Sequence, residues 1–211
     1  MSFIYSFFKK MCPNFLREKF KDFIHDIKSP KMITGFTDSN GEYRSRTRYS
    51  DTVFFYQKDR IKIADNVFIW HYTILDGTGG IEIGEGTQIG AWVGIFTHSS
   101  HMAIRLYGKF FLDIPRKEKK GFLIAPVKIG KYVFISSGTI ILHGVTIGDG
   151  SIIAANSVVK KDIPPYSIAS GNPAEVISDI KKYDRRFLVT YPELKEFYFD
   201  QKLLNKLFNG K

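Results

Sequence analysis

The sequence predicts a mainly β chain wound as a solenoid of short parallel strands, on three observations. Ile129, Ile135, Ile141, Ile147, Ile153 and Val159 recur at every sixth position without a slip. A six-residue step turns an α-helix through about 600°, so these aliphatics cannot form one helical stripe. The positions two past each are Lys131, Ser137, His143, Asp149, Ala155 and Lys161, which is not the alternation of a continuing strand. Small or β-branched residues (Val133, Thr139, Val145, Ser151, Ser157, Ile163) stand four past each. Together these features call for one inward aliphatic per short strand and a corner after it.

Taken in order, residues 1 to about 28 read as two short amphipathic helices broken at Pro13, the second carrying Leu16, Phe20, Phe23, Ile24 and Ile27 on one face. That face is expected to cover the open end of the solenoid; an apolar face with a basic flank equally suits peripheral membrane contact. The first residues lack the basic region and small-residue cleavage site of a signal peptide. Residues 29 to 60 carry Gly35, Asp38 to Gly41 and the cluster Arg44, Arg46 and Arg48, so turns and irregular strands lead into the first coil. Solvated charge is the ordinary meaning of such a cluster, and contact with an anionic acceptor the alternative.

The coils are expected over 61–174. Ile63, Ile69 and Leu75 keep the step of six, a two-residue slip follows through Gly77 to Gly80, and the step resumes at Ile83, Ile89 and Ile95. A basic, aromatic insertion then occupies 99–126. Loops of that length in compact domains usually carry function or are disordered. Residues 175–211 change to a helical pattern (Leu194, Phe197, Tyr198, Leu204, Leu207, Phe208) after Pro192, so helices at both ends would cap the solenoid.

Composition narrows the functional classes. The chain has 211 residues, 44% of them hydrophobic, and a formal charge of +10. That balance suits anionic ligands, but no helix-turn-helix, zinc-finger or RNA-recognition signature accompanies it, so nucleic acid is not an expected partner. Cys12 is the single cysteine, which excludes an internal disulfide and fits a reducing cytoplasm. No run approaches the length of a transmembrane helix. His25, His71 and His143 have no Cys or His neighbour at metal-ligand spacing, so no metal is expected.

The segment ISSGTIILHGVTIGDGSIIAANSVVKKDIPPYSIASGNPAEVI resembles the closing coils of the hexapeptide-repeat acyltransferases, with Asp162 to Pro165 and Gly171 to Ala174 standing where that family has Asp-Ile-Pro-Pro and Gly-Asn-Pro-Ala. The resemblance covers Ile61 to Ala174. It implies a left-handed parallel β-helix, acetyl-CoA as co-substrate, a homotrimer with clefts between subunits, and an extruded loop that helps to wall the cleft. It also implies a histidine base where a coil gives way to that loop, within Ile95 to His101. Acetyl transfer to a hydroxyl needs a group that takes a proton as oxygen attacks, and imidazole suits that task near neutrality. By position after the inward Ile95, His101 matches the antibiotic-modifying branch and is the expected base, with His98 the second choice; Ser99 reads as structural.

By the same resemblance, Ser136 and Ala154, 18 residues apart and so one above the other, are expected along the pantetheine arm. Lys160 and Lys161 are expected toward its phosphates, against the ordinary reading of solvated lysines. Phe134 replaces a tryptophan often seen in the family. On the acceptor side, Trp70, His71, Tyr72 and Asp76 offer aromatic rings and a carboxylate to a sugar, against the alternative of subunit packing. The expected activity is O-acetylation of a sugar hydroxyl in surface-polysaccharide or glycolipid assembly, in the cytoplasm or at the inner membrane face. N-acetylation of an amino sugar or nucleotide sugar is the alternative, then a xenobiotic acceptor. A scaffold has no need of the histidine loop, and a carbonic anhydrase-like solenoid needs three zinc histidines that are not found.

Overall fold

The computed structural model describes residues 14–209. The first of the two expected N-terminal helices and Cys12 lie outside the described residues. Helix α1 (Asn14–Lys28) forms a unit of its own, on which Phe15, Leu16, Phe20 and Phe23 are exposed. Among the described residues, no helix is long and apolar enough to cross a membrane.

The second unit begins with a hairpin, β1 (Met32–Thr37) and β2 (Tyr43–Ser50), and continues as five coils of a three-faced parallel β-helix. The first coil is β2, β3 (Phe54–Tyr56) and β4 (Ile61–Ile63). The second is β5 (Phe68–Ile69), β6 (Ile74–Asp76) and β7 (Ile81–Ile83). The third is β8 (Gln88–Ile89), β9 (Gly94–Phe96), a long excursion and β12 (Val127–Ile129). In the excursion lie β10 (His98–Ser99), helix α2 (Ala103–Tyr107) and β11 (Leu123–Ile124). The fourth is β13 (Phe134–Ile135), β14 (Ile140–Ile141) and β15 (Thr146–Ile147). The fifth is β16 (Ile152–Ile153), β17 (Val158–Val159) and a bridge from Ile163 to Ile147. A terminal hairpin, β18 (Ser167–Gly171) and β19 (Ala174–Asp179), follows β16. Parallel winding thus starts at β2, ahead of the residue-61 boundary that the aliphatic period suggests. The arginine-rich β2 pairs with β5 at Arg48↔Phe68 but carries no aliphatic at the repeat position.

The repeat residues behave as their spacing requires. Ile135, Ile141, Ile153 and Val159 are fully buried, and so are Thr139, Ser151 and Ser157 at the small position. The buried hydroxyls are satisfied at the corners: Ser151 Oγ donates to Pro164 O at 2.8 Å and Ser157 Oγ to Ala154 O at 2.7 Å. Such bonds remove the penalty of burying a polar group beside aliphatics. At the first coil, Phe36 of β1 is 1% exposed and packs on Tyr49 and Phe55, with Lys58 Nζ over its ring.

Helices α3 (Lys181–Thr190) and α4 (Gln201–Asn209) follow the hairpin. They were expected to cap the solenoid end. Phe199 between them instead packs on the corner residues Tyr132 and Tyr166, so this segment is anchored to an edge of the last coils. Tyr166 hydroxyl donates to Asp200, and Asp200 in turn accepts the Leu203 N–H at 2.8 Å as the cap of α4. Tyr198 hydroxyl donates to Asp184 of α3 at 2.7 Å.

Candidate active site

The edge between the second and third faces is where the regular winding is interrupted. In the second coil the two-residue slip forms a 3-10 turn, Gly77–Gly79, capped by Asp76, and Arg60 Nη1 donates to Thr78 O at 2.6 Å. The glycines are required by close approach. A Cβ on Gly77 would stand 2.5 Å from Gln57 O, and one on Gly79 would stand 2.8 Å from both Thr97 O and Ala125 O. Thr97 and Ala125 are the two ends of the excursion one coil on, joined by the Ala125 N–H to Thr97 O bond at 3.0 Å. The slip therefore forms the floor on which the excursion begins.

Asp76 on that floor is buried, 4% exposed. One carboxylate oxygen accepts the Thr78 N–H at 3.1 Å and the Thr78 hydroxyl at 2.6 Å. The other accepts the Thr97 N–H at 3.1 Å and lies 2.6 Å from His98 Nδ1. Burial pushes the Asp76 carboxyl up, but these bonds from Thr78, His98 and Thr97 outweigh it and hold the group below the ordinary carboxylate range. An ionised carboxylate at that distance fixes the hydrogen of a neutral imidazole on Nδ1. Nε2 keeps its lone pair and has no hydrogen-bond partner among the described residues. The returning strand β11 pairs with β10 at His98↔Ile124 and brings Phe122 parallel to the imidazole, with ring centroids 5.7 Å apart; Arg116 lies over the far ring. His98 remains 34% exposed, enough for its outer nitrogen to meet a ligand.

The expected site residues separate into two groups. His98 and Asp76 come together, but Asp76 lies inward, its oxygens engaged by His98 and two threonines, and is not presented to an acceptor. His101 is exposed in the turn before α2, where its Nδ1 meets Ser99 Oγ at 2.7 Å; among the described residues no carboxylate bonds to it. Ser99, expected to be structural, is half-buried in β10, while Thr97 is fully buried. Lys160 and Lys161 stand exposed at the same edge two coils on, and Lys161 makes a loose, exposed pair with Glu175 at 3.9 Å.

Trp70, His71 and Tyr72 lie at another edge, between the first and second faces, in line with Ser136 and Ala154. His71 Nδ1 is tied to Ser50 Oγ at 2.7 Å, and Tyr72 stacks on Trp92 at 6.1 Å. Trp70, Gly90, Ser136 and Ala154 form one column, each N–H donating to the next coil. The amides of Ser136 and Ala154 are therefore already engaged, by Ile153 O and Ala169 O. One residue on, the amides of Ser137 and Ala155 have no acceptor among the described residues. Sequence reasoning missed that pair, and also Phe122, Thr97 and Thr78; the one available signal was the Gly77 to Gly80 slip. Among the described residues, no three His, Cys, Asp or Glu side chains gather as a metal site.

The family described as bacterial transferase hexapeptide (six repeats) matches residues 126–161. The chain is similar to the hexapeptide-repeat acyltransferases in its repeat sequence and in its fold. Its solenoid is the left-handed parallel β-helix of that family. It is 29% identical over 190 residues to a chloramphenicol acetyltransferase of Agrobacterium fabrum, covering 86% of this chain and 83% of that one. It is 33% identical over 138 residues to the galactoside O-acetyltransferase of Escherichia coli, covering 64% and 62%. The structure of a hexapeptide-repeat acetyltransferase of Vibrio cholerae, complexed with acetyl coenzyme A, matches with a TM-score of 0.52 at 30% identity, over 61% of this chain and 64% of that one. The matched part thus spans less than two thirds of the last two proteins.

Proposed function

We propose that this chain is an acetyl-CoA-dependent O-acetyltransferase for a sugar hydroxyl, with His98 as general base. The carrying observation is the 2.6 Å contact between His98 Nδ1 and the buried, multiply bonded Asp76. In this reading Nε2 takes the hydroxyl proton as the acceptor oxygen bonds to the thioester carbonyl carbon. The carbon–sulfur bond of the tetrahedral intermediate then breaks, and the imidazolium returns the proton to the departing sulfur. Asp76 stays ionised throughout, fixing the tautomer and stabilising the imidazolium. The sugar acceptor is taken from the galactoside O-acetyltransferase relative, and the donor from the acetyl coenzyme A complex of the Vibrio cholerae neighbour.

The donor would lie along the column at the first edge, using the unengaged amides of Ser137 and Ala155; Lys160 and Lys161, on the edge of His98, would reach its phosphates from a neighbouring subunit. His98 stands on the next edge. Ser137 and His143 bracket the face between these edges, and six residues of extended chain span roughly 20 Å. A donor on one edge and a base on the next do not meet within one subunit, which favours a homotrimer with clefts between neighbours. The acceptor is assigned to surface-polysaccharide or glycolipid assembly in the cytoplasm.

The test is acetyl transfer from labelled acetyl-CoA to galactosides and malto-oligosaccharides by purified protein. His98→Ala should lower turnover by about two to four orders of magnitude with an unchanged melting temperature, and His101→Ala by less than about tenfold. The reverse ranking would move the base to His101. Mild alkali should release the acetate as from an ester; a base-stable product would mean N-acetylation. A fully active monomer by light scattering would remove the shared cleft.

A further inference from the structure

The arginine cluster of β2 divides in the structure. Arg44 turns into the hairpin, where it pairs with Asp38 at 2.8 Å and with Glu42. Arg46 and Arg48 point outward from the first face, two residues apart on one strand and so roughly 7 Å apart. Among the described residues neither makes an ion pair with a carboxylate. Asp65 is the nearby acid; it accepts the Arg46 backbone N–H at 2.8 Å, and Arg46 is among the charges that help to hold its carboxyl low. Arg48 lies over Phe68, 5.3 Å from the ring centre, and Phe68 meets Trp70 edge-on at 5.5 Å. Together with Asn66 and Gln88 these residues line an open groove of about 320 Å³, the two arginines along one side and Trp70, 48% exposed, at one end.

We propose that this groove is a binding subsite for a sugar unit bearing an oxyanion, so that the acceptor is an acidic saccharide with one unit held here. The proposal rests on the sugar-acceptor reading above and specifies its chemical class. Like charges side by side on a strand face repel each other, and among the described residues no carboxylate forms an ion pair with either. Two guanidinium forks present paired donors to a carboxylate or phosphate, Asn66 and Gln88 bond to hydroxyls, and an exposed indole stacks on a sugar ring. The groove lies on a different face from His98, which suits a chain of several units better than a single small acceptor. An oxyanion on a saccharide is either a uronate carboxylate or a phosphate ester.

The experiment is equilibrium binding without acetyl donor, so its outcome does not depend on the base. The full-length chain carries Trp92→Phe, leaving Trp70 as its single tryptophan. Quenching of Trp70 emission is followed with a galacturonic acid trimer, with glucose 6-phosphate and with neutral maltotriose. Saturable binding of one or both anionic probes, weakened by added salt and at least tenfold tighter than maltotriose, is expected, and the probe that binds identifies the source. Arg46→Gln with Arg48→Gln should weaken it by roughly tenfold or more and flatten the salt dependence, with melting unchanged. Equal affinity for maltotriose, unchanged affinity in the double variant, or no binding of either anion would overturn the subsite. If the double variant instead dissociates the oligomer and the parent binds no probe, the face is a subunit contact and the proposal fails. Loss of transfer in His98→Ala with this binding intact keeps both readings; retained transfer would remove the base and leave the subsite standing.

Discussion

Asp76 and Asp184 each hold a short hydrogen bond to a ring-borne group, 2.6 Å to His98 Nδ1 and 2.7 Å to the Tyr198 hydroxyl, yet their pKa values move in opposite directions. Burial raises both. At Asp76 it is outweighed by two bonds from Thr78 together with those from His98 and the Thr97 N–H, and the carboxyl ends below its ordinary range. At Asp184 the Tyr198 hydroxyl alone opposes burial, the Asp179 charge adds to it, and the carboxyl ends above. Tyr198, half-buried and facing that charge, is pushed upward too. The number of donors at a buried carboxylate therefore decides whether it serves as a fixed charge. In the mechanism proposed above the first orients a base; the second is a clamp of the C-terminal segment.

The strongest way to break this comparison is to remove the charge and keep the shape. In Asp76→Asn either orientation of the amide sets its NH2 against a backbone N–H, of Thr78 on one side or of Thr97 on the other. The cost is an unsatisfied buried donor, about 1–3 kcal/mol. The imidazole also loses the carboxylate that fixes its tautomer, so turnover should fall by about two orders of magnitude or more. Nitrogen NMR of His98 should show a shift away from the Nδ1–H tautomer. An active variant with an unchanged His98 tautomer would remove Asp76 from the mechanism.

Gly79→Ala acts on the same pair without touching its chemistry. Its Cβ meets two backbone oxygens that belong to the roots of the excursion, and backbone yields less readily than a side-chain tip. The expected effect is a loss of about tenfold to a hundredfold in turnover, because a displaced base costs rate steeply, together with about 1–3 kcal/mol of stability. Full activity here would mean that the floor does not set the position of His98. Phe122→Ala should be milder, lowering turnover about threefold to tenfold as the parallel ring contact is lost, with donor affinity unchanged.

How much of this was legible beforehand follows the physics of each element. The coils were legible because a packed solenoid repeats its demand every six residues, and Ile135, Ile141 and Ile153 answer it directly. The first coil was not, since β2 sets Tyr49 rather than an aliphatic opposite Ile69, packed against Phe36 and Phe55, and its buried Thr47 hydroxyl is satisfied by Ala64 O at 2.8 Å. The histidine motif was legible as chemistry, but not the choice between His98 and His101. The proposal of His98 rests on Asp76, 22 positions earlier, and on a slip that sequence alone reads as a spacing irregularity. Ser136 and Ala154 stacked as expected, yet spacing does not tell which amides the ladder consumes.

The smallest expected effect concerns the clamp, and its sign differs from that of the site. A carboxyl whose folded pKa is raised favours folding below its unfolded value of about 3.9 and loses that contribution as pH rises through the folded value. Ionised Asp184 therefore weighs against folding at neutral pH, whereas Asp76, held low, supports folding there and loses its contribution only as pH falls below the ordinary carboxylate range. Asp184→Asn keeps an oxygen for the Tyr198 hydroxyl and removes both the charge and its repulsion by Asp179. Its melting temperature should exceed the parent's by about 2 °C at pH 8, with a smaller difference at pH 5. Tyr198→Phe, which leaves the carboxylate without its donor, should lower the melting temperature at both pH values and more at pH 8. If Asp184→Asn is instead the less stable protein at pH 8, the ionised carboxylate contributes to the clamp and the two aspartates differ less than their donor sets suggest.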